Sequence, residues 1–291
     1  MRIRLINTVL PDTETFVKLI EVPQENHRGE IAAAIYKELI HHIPYEIEEV
    51  HIDWQIVGVG KNRGSSLVLV GVCPKGVVDQ YISLFHASDF IIQSLEIEAL
   101  PIIRSIFKGG DKKEEAVNTH TIALDLGCAR SSIIFWKEEK EADTRKNTIE
   151  FSVSVPLSGV MINKIIAQTL DFTDDQAEAL KKKCGLSDDA PCKGVVKTIL
   201  QPLFQDFISR VRQAMNFHSA HFGDGGIDKV LLCGGVANLR GFDVYLQEAL
   251  GIQTALADPL FNIKNKQMLS IQEALTYCTA IGLGLKNFYT L

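Results

Sequence analysis

The stretch IALDLGCARSSIIFW, residues 122–136, places Asp125 at the end of an apolar run, follows it with Gly127, and passes Ser131 and Ser132 before a second apolar run. A carboxylate ending a buried strand, then glycine and hydroxyl residues, is the arrangement that faces something charged, with phosphate and a metal ion the leading chemistry. A second junction, KVLLCGG at 229–235, runs from an apolar strand straight into Gly234 and Gly235. A glycine pair there lets a ligand approach the backbone, and it equally serves any tight turn.

Six cysteines (Cys73, Cys128, Cys184, Cys192, Cys233, Cys278) occur without a CxxC pair, most of them in apolar or small-residue stretches. Reduced thiols in a cytosolic protein are expected. Cys184 and Cys192 with His218 and His221 are the nearest approach to a zinc set, but the cysteine spacing is loose and the histidines share a helical segment. No zinc is expected from them.

The elements that must position these residues alternate between strand and helix. RIRLINTVL and TFVKLIEV read as strands separated by Pro11-Asp12, and EIAAAIYKELIHHI puts Ile31, Ile35, Leu39 and Ile43 on one helical face. VHIDWQIVGVG and LVLVGVCP read as paired strands, and VVDQYISLFHASDF as a helix, so that residues 24–92 form a compact α+β unit. The charged stretch 108–120 reads as a hinge, and the charges at 137–147 as the solvated tip of a hairpin that continues into TIEFSVSVPL. Thr173 and Gly185 bracket a helix as N-cap and stop. In the long amphipathic segment from Val195 onward, Pro202 predicts a local break.

With 291 residues, 46% apolar and 23% charged, the chain has the composition of an ordinary globular protein. A formal net charge of −6 gives no electrostatic reason to expect nucleic acid as a partner. No apolar run reaches the ~18 residues that a membrane helix needs, so membrane association is expected only through partners.

The order of these parts (hairpin with Asp-x-Gly, helical segment, Gly-Gly turn) resembles the second half of the actin-like ATPase fold, a ribonuclease H-like α/β architecture of two domains that actin, sugar kinases and the bacterial protein FtsA share. The resemblance implies ATP with Mg2+. Asp125 would hold the metal through water, Gly127 and Ser131 would face phosphate, and Gly234, Gly235 and Ala237 would border the adenosine. QAEALK at 176–181 is similar to the helix that touches ribose in the bacterial relatives, which implies contacts from Glu178 and Lys181, although the bare spacing describes any solvated helix. Glu96 and Glu98 stand where such enzymes position water, or at a solvated helix start.

Within that superfamily the chain most resembles the PilM family of type IV pilus assembly proteins. The carrying segments are HHIPYEIEEVHIDWQIV at 41–57, VGVCPKGVVDQYISLFHASDF at 70–90, LEIEALPIIRSI at 95–106, then LDLGCARSSI, QAEALKK, LLCGGVANLRG and AIGLGL in order. The resemblance implies a cytoplasmic scaffold, peripheral to the inner membrane, that docks the cytoplasmic tail of PilN, meets the pilus assembly ATPases, and admits a homo-oligomer; type II secretion homologues are similar. The implied division is 1–23 with 93–118 as the remainder of a first domain, 24–92 as an inserted docking subdomain, 119–165 with 226–291 as the second domain core, and 166–225 as a helical nucleotide-side subdomain. Met1 falls where the family's R-x-I-x-L-P strand lies, so the first domain is expected to be incomplete at its N-terminus and to lack one phosphate hairpin. The expected hold on ATP and Mg2+ is then weakened or lost, and hydrolysis does not follow. Two other classes carry weaker expectations: an FtsA-like membrane-associated filament protein, and an actin-fold small-molecule kinase.

Overall fold

The computed structural model describes residues 4–24, 28–40, 43, 45–107, 119–141, 144–189, 192–223, 226–264 and 269–288. Most of the expected hinge at 108–120 lies outside these residues. The two opening strands separate at once: β1 (Arg4–Leu10) pairs in parallel with β5 (Phe90–Ile97), whereas β2 (Phe16–Pro23) joins a different sheet. Between them come α1 (Arg28–Leu39), the antiparallel pair β3 (Val50–Val59) and β4 (Ser65–Pro74), and α2 (Lys75–Ala87). Helix α1 forms because Ile31, Ile35 and Leu39 recur every four residues, and that stripe is buried on Ile20, Val22, Val68, Val70 and Val72 of the strands.

After α3 (Ala99–Ile106), the chain builds β6 (Thr119–Leu126), β7 (Ser131–Glu141) and β8 (Thr144–Val155) as an antiparallel meander. Helices α4 (Gly159–Leu170), α5 (Asp174–Cys184) and α6 (Val195–Phe222) follow, then β9 (Lys229–Cys233), α7 (Phe242–Leu250), β10 (Gln253–Leu256), α8 (Ile271–Leu275) and α9 (Cys278–Gly284). Strands β9 and β10 are parallel to β6, which gives the sheet order β10-β9-β6-β7-β8-β2-β4-β3. The junction of its two halves is narrow, a single ladder position between Lys18 and Phe151. The largest core lies on both faces of the β6–β7–β9 region, where fully buried Ile122, Leu124, Ile133 and Phe135 meet Leu200, Phe204 and Val211 of α6.

Helix α5 starts in a capping box of Thr173 and Gln176 and stops at Gly185, whose φ is +53°. Helix α6 does not break: it runs continuously through Pro202. That residue sits on the exposed face, while Leu200 and Phe204 beside it are buried, so packing outweighs one missing hydrogen bond. The expectation of reduced cysteines also fails at one place. Cys184 and Cys192 form a disulfide, because the turn that links α5 to α6 brings their Cα atoms to 5.5 Å across a sequence separation of 8.

Candidate functional site

The turn between β6 and β7 is closed by the Gly127 amide, which donates to Arg130 O at 2.9 Å. A Cβ at Gly127 would stand 2.5 Å from that same oxygen, so the turn itself requires glycine. The start of α4 clamps the turn from outside: the amides of Gly159 and Val160 donate to the carbonyls of Gly127 and Cys128 at 3.0 and 2.9 Å. Asp125, two residues before Gly127, is thereby held at a defined depth.

The second turn packs on the first. Gly234 adopts φ +81°, and a Cβ there would meet Leu126 O at 2.5 Å. Its amide donates to Leu275 O at 2.9 Å, which ties the turn to α8. The glycines are thus explained by the crossing of two turns, and the evidence for a ligand must come from the side chains around them.

Those side chains surround a cleft of about 360 Å³, lined by Glu98, Asp125, Gly127, Cys128, Arg130 and the Gly234-Gly235 turn, with Thr276 and Thr279 opposite. Arg130 is the only cationic side chain among the described residues that line it. Its guanidinium pairs with Glu98 at 3.2 Å, and Thr279 Oγ1 donates to the other Glu98 oxygen at 3.4 Å. Burial first, then the charges of Glu98 and Asp12, pushes the Asp125 carboxyl up to about 7. Asp12, at the end of β1, is 6% exposed, and neither carboxyl oxygen has a hydrogen-bond partner among the described residues. Burial and Glu98 push its pKa up to about 6, with Ser132 and the Ala99 amide near enough to moderate the rise. Two carboxyl groups line the cleft and Asp12 is buried beside them, against one guanidinium, which leaves surplus negative charge, and carboxylate oxygens suit a hard, hydrated cation such as Mg2+.

Sequence reasoning named Asp125, Gly127, Gly234 and Gly235, which the structure brings together, and Glu98, which joins them at the N-cap of α3. The others lie elsewhere. Ser131 is buried and spends its hydroxyl on Leu157 O. Ala237 is buried in the short 3-10 turn after Gly235, and Glu178 and Lys181 pair with each other on α5; none of the three lines the cleft. Glu96 is tied to Arg104 at 3.0 Å and Lys286 at 3.1 Å. The loose zinc set is dispersed as well: Cys184 and Cys192 are joined in their disulfide, His218 meets Glu150, and His221 Nδ1 contacts Phe217 O. Sequence reasoning missed Asp12, buried beside Asp125 next to this site, because a Pro-Asp pair after a strand reads as a turn.

The sequence profile of the family described as "Type IV pilus assembly protein PilM" matches residues 1–288. Among solved structures, a "PilM-PilN type IV pilus biogenesis complex" superposes with a TM-score of 0.75 at 18% identity, covering 100% of this chain and 81% of that one. The ethanolamine utilization protein EutJ from Carboxydothermus hydrogenoformans gives 0.45 at 16% identity over 72% of this chain and 59% of its own. The fold is the mixed α/β fold of the actin-like ATPases. Among the described residues, no helix is long and apolar enough to cross a membrane.

Proposed function

Because the chain belongs to the PilM family of type IV pilus assembly proteins, we propose that it is a cytoplasmic, nucleotide-regulated scaffold of the inner-membrane assembly complex. In this reading the cleft between the two glycine turns takes ATP together with Mg2+, with Asp125 facing the metal's water shell. The observation that carries it is the meeting of Asp125 and Glu98 in that cleft, with Asp12 buried next to Asp125 and its carboxyl oxygens without a hydrogen-bond partner among the described residues. Surplus negative charge repels bare phosphate, so nucleotide enters only with its cation. The bound cation would supply charge neutralisation, and Arg130 would exchange Glu98 for a phosphate oxygen.

The docking function rests on kinship with a PilM that was solved with PilN. We assign the cytoplasmic tail of a PilN-type membrane protein to the 24–92 unit and its junction with the neighbouring domain, keeping the domain division given above. The pilus assembly ATPases are the further partners of this reading, and membrane contact runs through partners.

Calorimetric titration with ATP, with and without Mg2+, tests the cleft, with Asp125→Ala beside it. Saturable binding that needs Mg2+ and vanishes in the variant is expected; folded wild-type chain that takes up no Mg-ATP overturns the nucleotide reading. Fluorescence anisotropy with a PilN tail peptide tests docking separately, and a peptide that never binds the folded chain overturns that part alone.

A further inference from the structure

On the far side of the β6–β7–β8 meander, three side chains from three elements meet in the interior: His120 from the start of β6, Glu150 from β8 and His218 from α6. Glu150 Oε2 lies 2.6 Å from His218 Nε2 and 3.3 Å from His120 Nδ1. The three ligating atoms all lie within 4.8 Å of one another.

A local irregularity of the sheet makes this meeting. Phe135 pairs with Phe151, but the next residue, Trp136, pairs with Ile149, so Glu150 is an extra residue in the ladder. In a regular strand Glu150 would point away from the face that Phe151 occupies; the bulge turns both toward α6. His218 is held for the encounter by Phe135 and Phe222, whose ring centroids lie 5.1 and 5.5 Å from its own at near-parallel tilt, and by the edge of His120 at 5.1 Å. Such packing presets the ring, which is what a ligand site needs from its surroundings.

We propose that His120, Glu150 and His218 form a binding site for one divalent ion of the zinc class. Two imidazole nitrogens and one carboxylate oxygen are a donor set that first-row ions of intermediate softness take in preference to Mg2+ or Ca2+. Ligand atoms around a four-coordinate ion stand about 3.3 Å apart, so the present spacing closes on an ion with small side-chain rotations. The ion replaces both hydrogen bonds on Oε2 and neutralises a carboxylate set among aromatic rings. A cavity of about 550 Å³ that Glu150, Thr148 and His221 help to line adjoins the cluster, and supplies both a way in and water for the fourth position. The site is distinct from the glycine-turn cleft, with which it shares no residue.

The test is a titration of chelator-stripped chain with Co2+, read by its visible absorption, followed by displacement with Zn2+. One equivalent is expected to saturate an intense four-coordinate band, Zn2+ to abolish it, and Zn2+ to raise the thermal midpoint of the apoprotein. Glu150→Gln and, at the edge of the cluster, His120→Asn are expected to weaken Co2+ at least tenfold, while His86→Ala on α2 leaves it unchanged. Folded wild-type chain that shows no saturable band at stoichiometric Co2+ overturns the proposal, as does a band that survives both cluster substitutions. The wild-type titration decides the matter even if a buried variant fails to fold.

Discussion

Gly282 of α9 lies so close to the carbonyl of Pro101 in α3 that a Cβ at Gly282 would overlap the Pro101 backbone. Of the two glycines in the closing AIGLGL motif, Gly284 has open space around its missing side chain among the described residues. Gly282→Ala is therefore expected to force the two helices apart and cost about 3 kcal/mol. Gly284→Ala is expected to be neutral or slightly stabilising. Urea unfolding midpoints check the contrast, and equal midpoints for the two variants would refute it.

Arg104, 5% exposed, grips Glu96 through both terminal nitrogens at 3.0 Å and donates to Gly282 O at 3.1 Å in the same helix contact. Burial pushes the Glu96 carboxyl up, but the Arg104 hydrogen bonds and charge, with Lys286, prevail and hold it below the usual carboxylate range. A carboxyl whose folded pKa is depressed stabilises the fold at neutral pH and loses that contribution as pH falls through the folded value. Arg104→Met is expected to cost about 3 kcal/mol at pH 7, since it removes the bidentate partner of a nearly buried carboxylate. The loss should shrink in acid, where Glu96 is protonated; a cost independent of pH would count against the ion pair as its source.

Asp12 and Asp125 titrate the other way. Raised from 3.8 to about 6 and about 7, they hold protons in the folded chain that the unfolded chain has released. Stability therefore falls as pH rises from about 4 to about 7. Asp125→Asn is expected to stabilise the chain at pH 8 by on the order of 2 kcal/mol, read as a higher thermal midpoint, and to change it little at pH 3, where folded and unfolded wild-type chains both hold the proton. Differential scanning calorimetry at the two values is the check. A variant less stable than wild type at pH 8 would refute the charge argument.

The Cys184–Cys192 disulfide closes a short loop between α5 and α6. Constraint of the unfolded chain by a loop of that size is worth roughly 2–3 kcal/mol. Reduction, or Cys192→Ser, is expected to lower the chemical unfolding midpoint accordingly. Far-ultraviolet circular dichroism should be unchanged, because α5 is capped independently by Thr173 and both helices are packed on the large core. Thiol labelling of the native chain before and after reduction identifies the pair.

What the sequence determined by itself was local. A period of four wrote α1 through Ile31, Ile35 and Leu39, Thr173 and Gly185 set the limits of α5, and the Asp125–Gly127 turn was legible because only short-range sterics govern it. What only the tertiary structure decided was encounter. Asp12 reads as a turn residue until the end of β1 buries it beside Asp125, and nothing near Glu150 in sequence says that a bulge aims it at His218, 68 residues away. Pro202 reads as a breaker until its neighbours are seen to be buried. Backbone sterics and hydrophobic period act over a few residues, so they survive in a one-dimensional reading. Burial, the charges that shift a carboxyl, and the convergence of ligands depend on elements far apart in the chain, and come into being only when the sheet assembles.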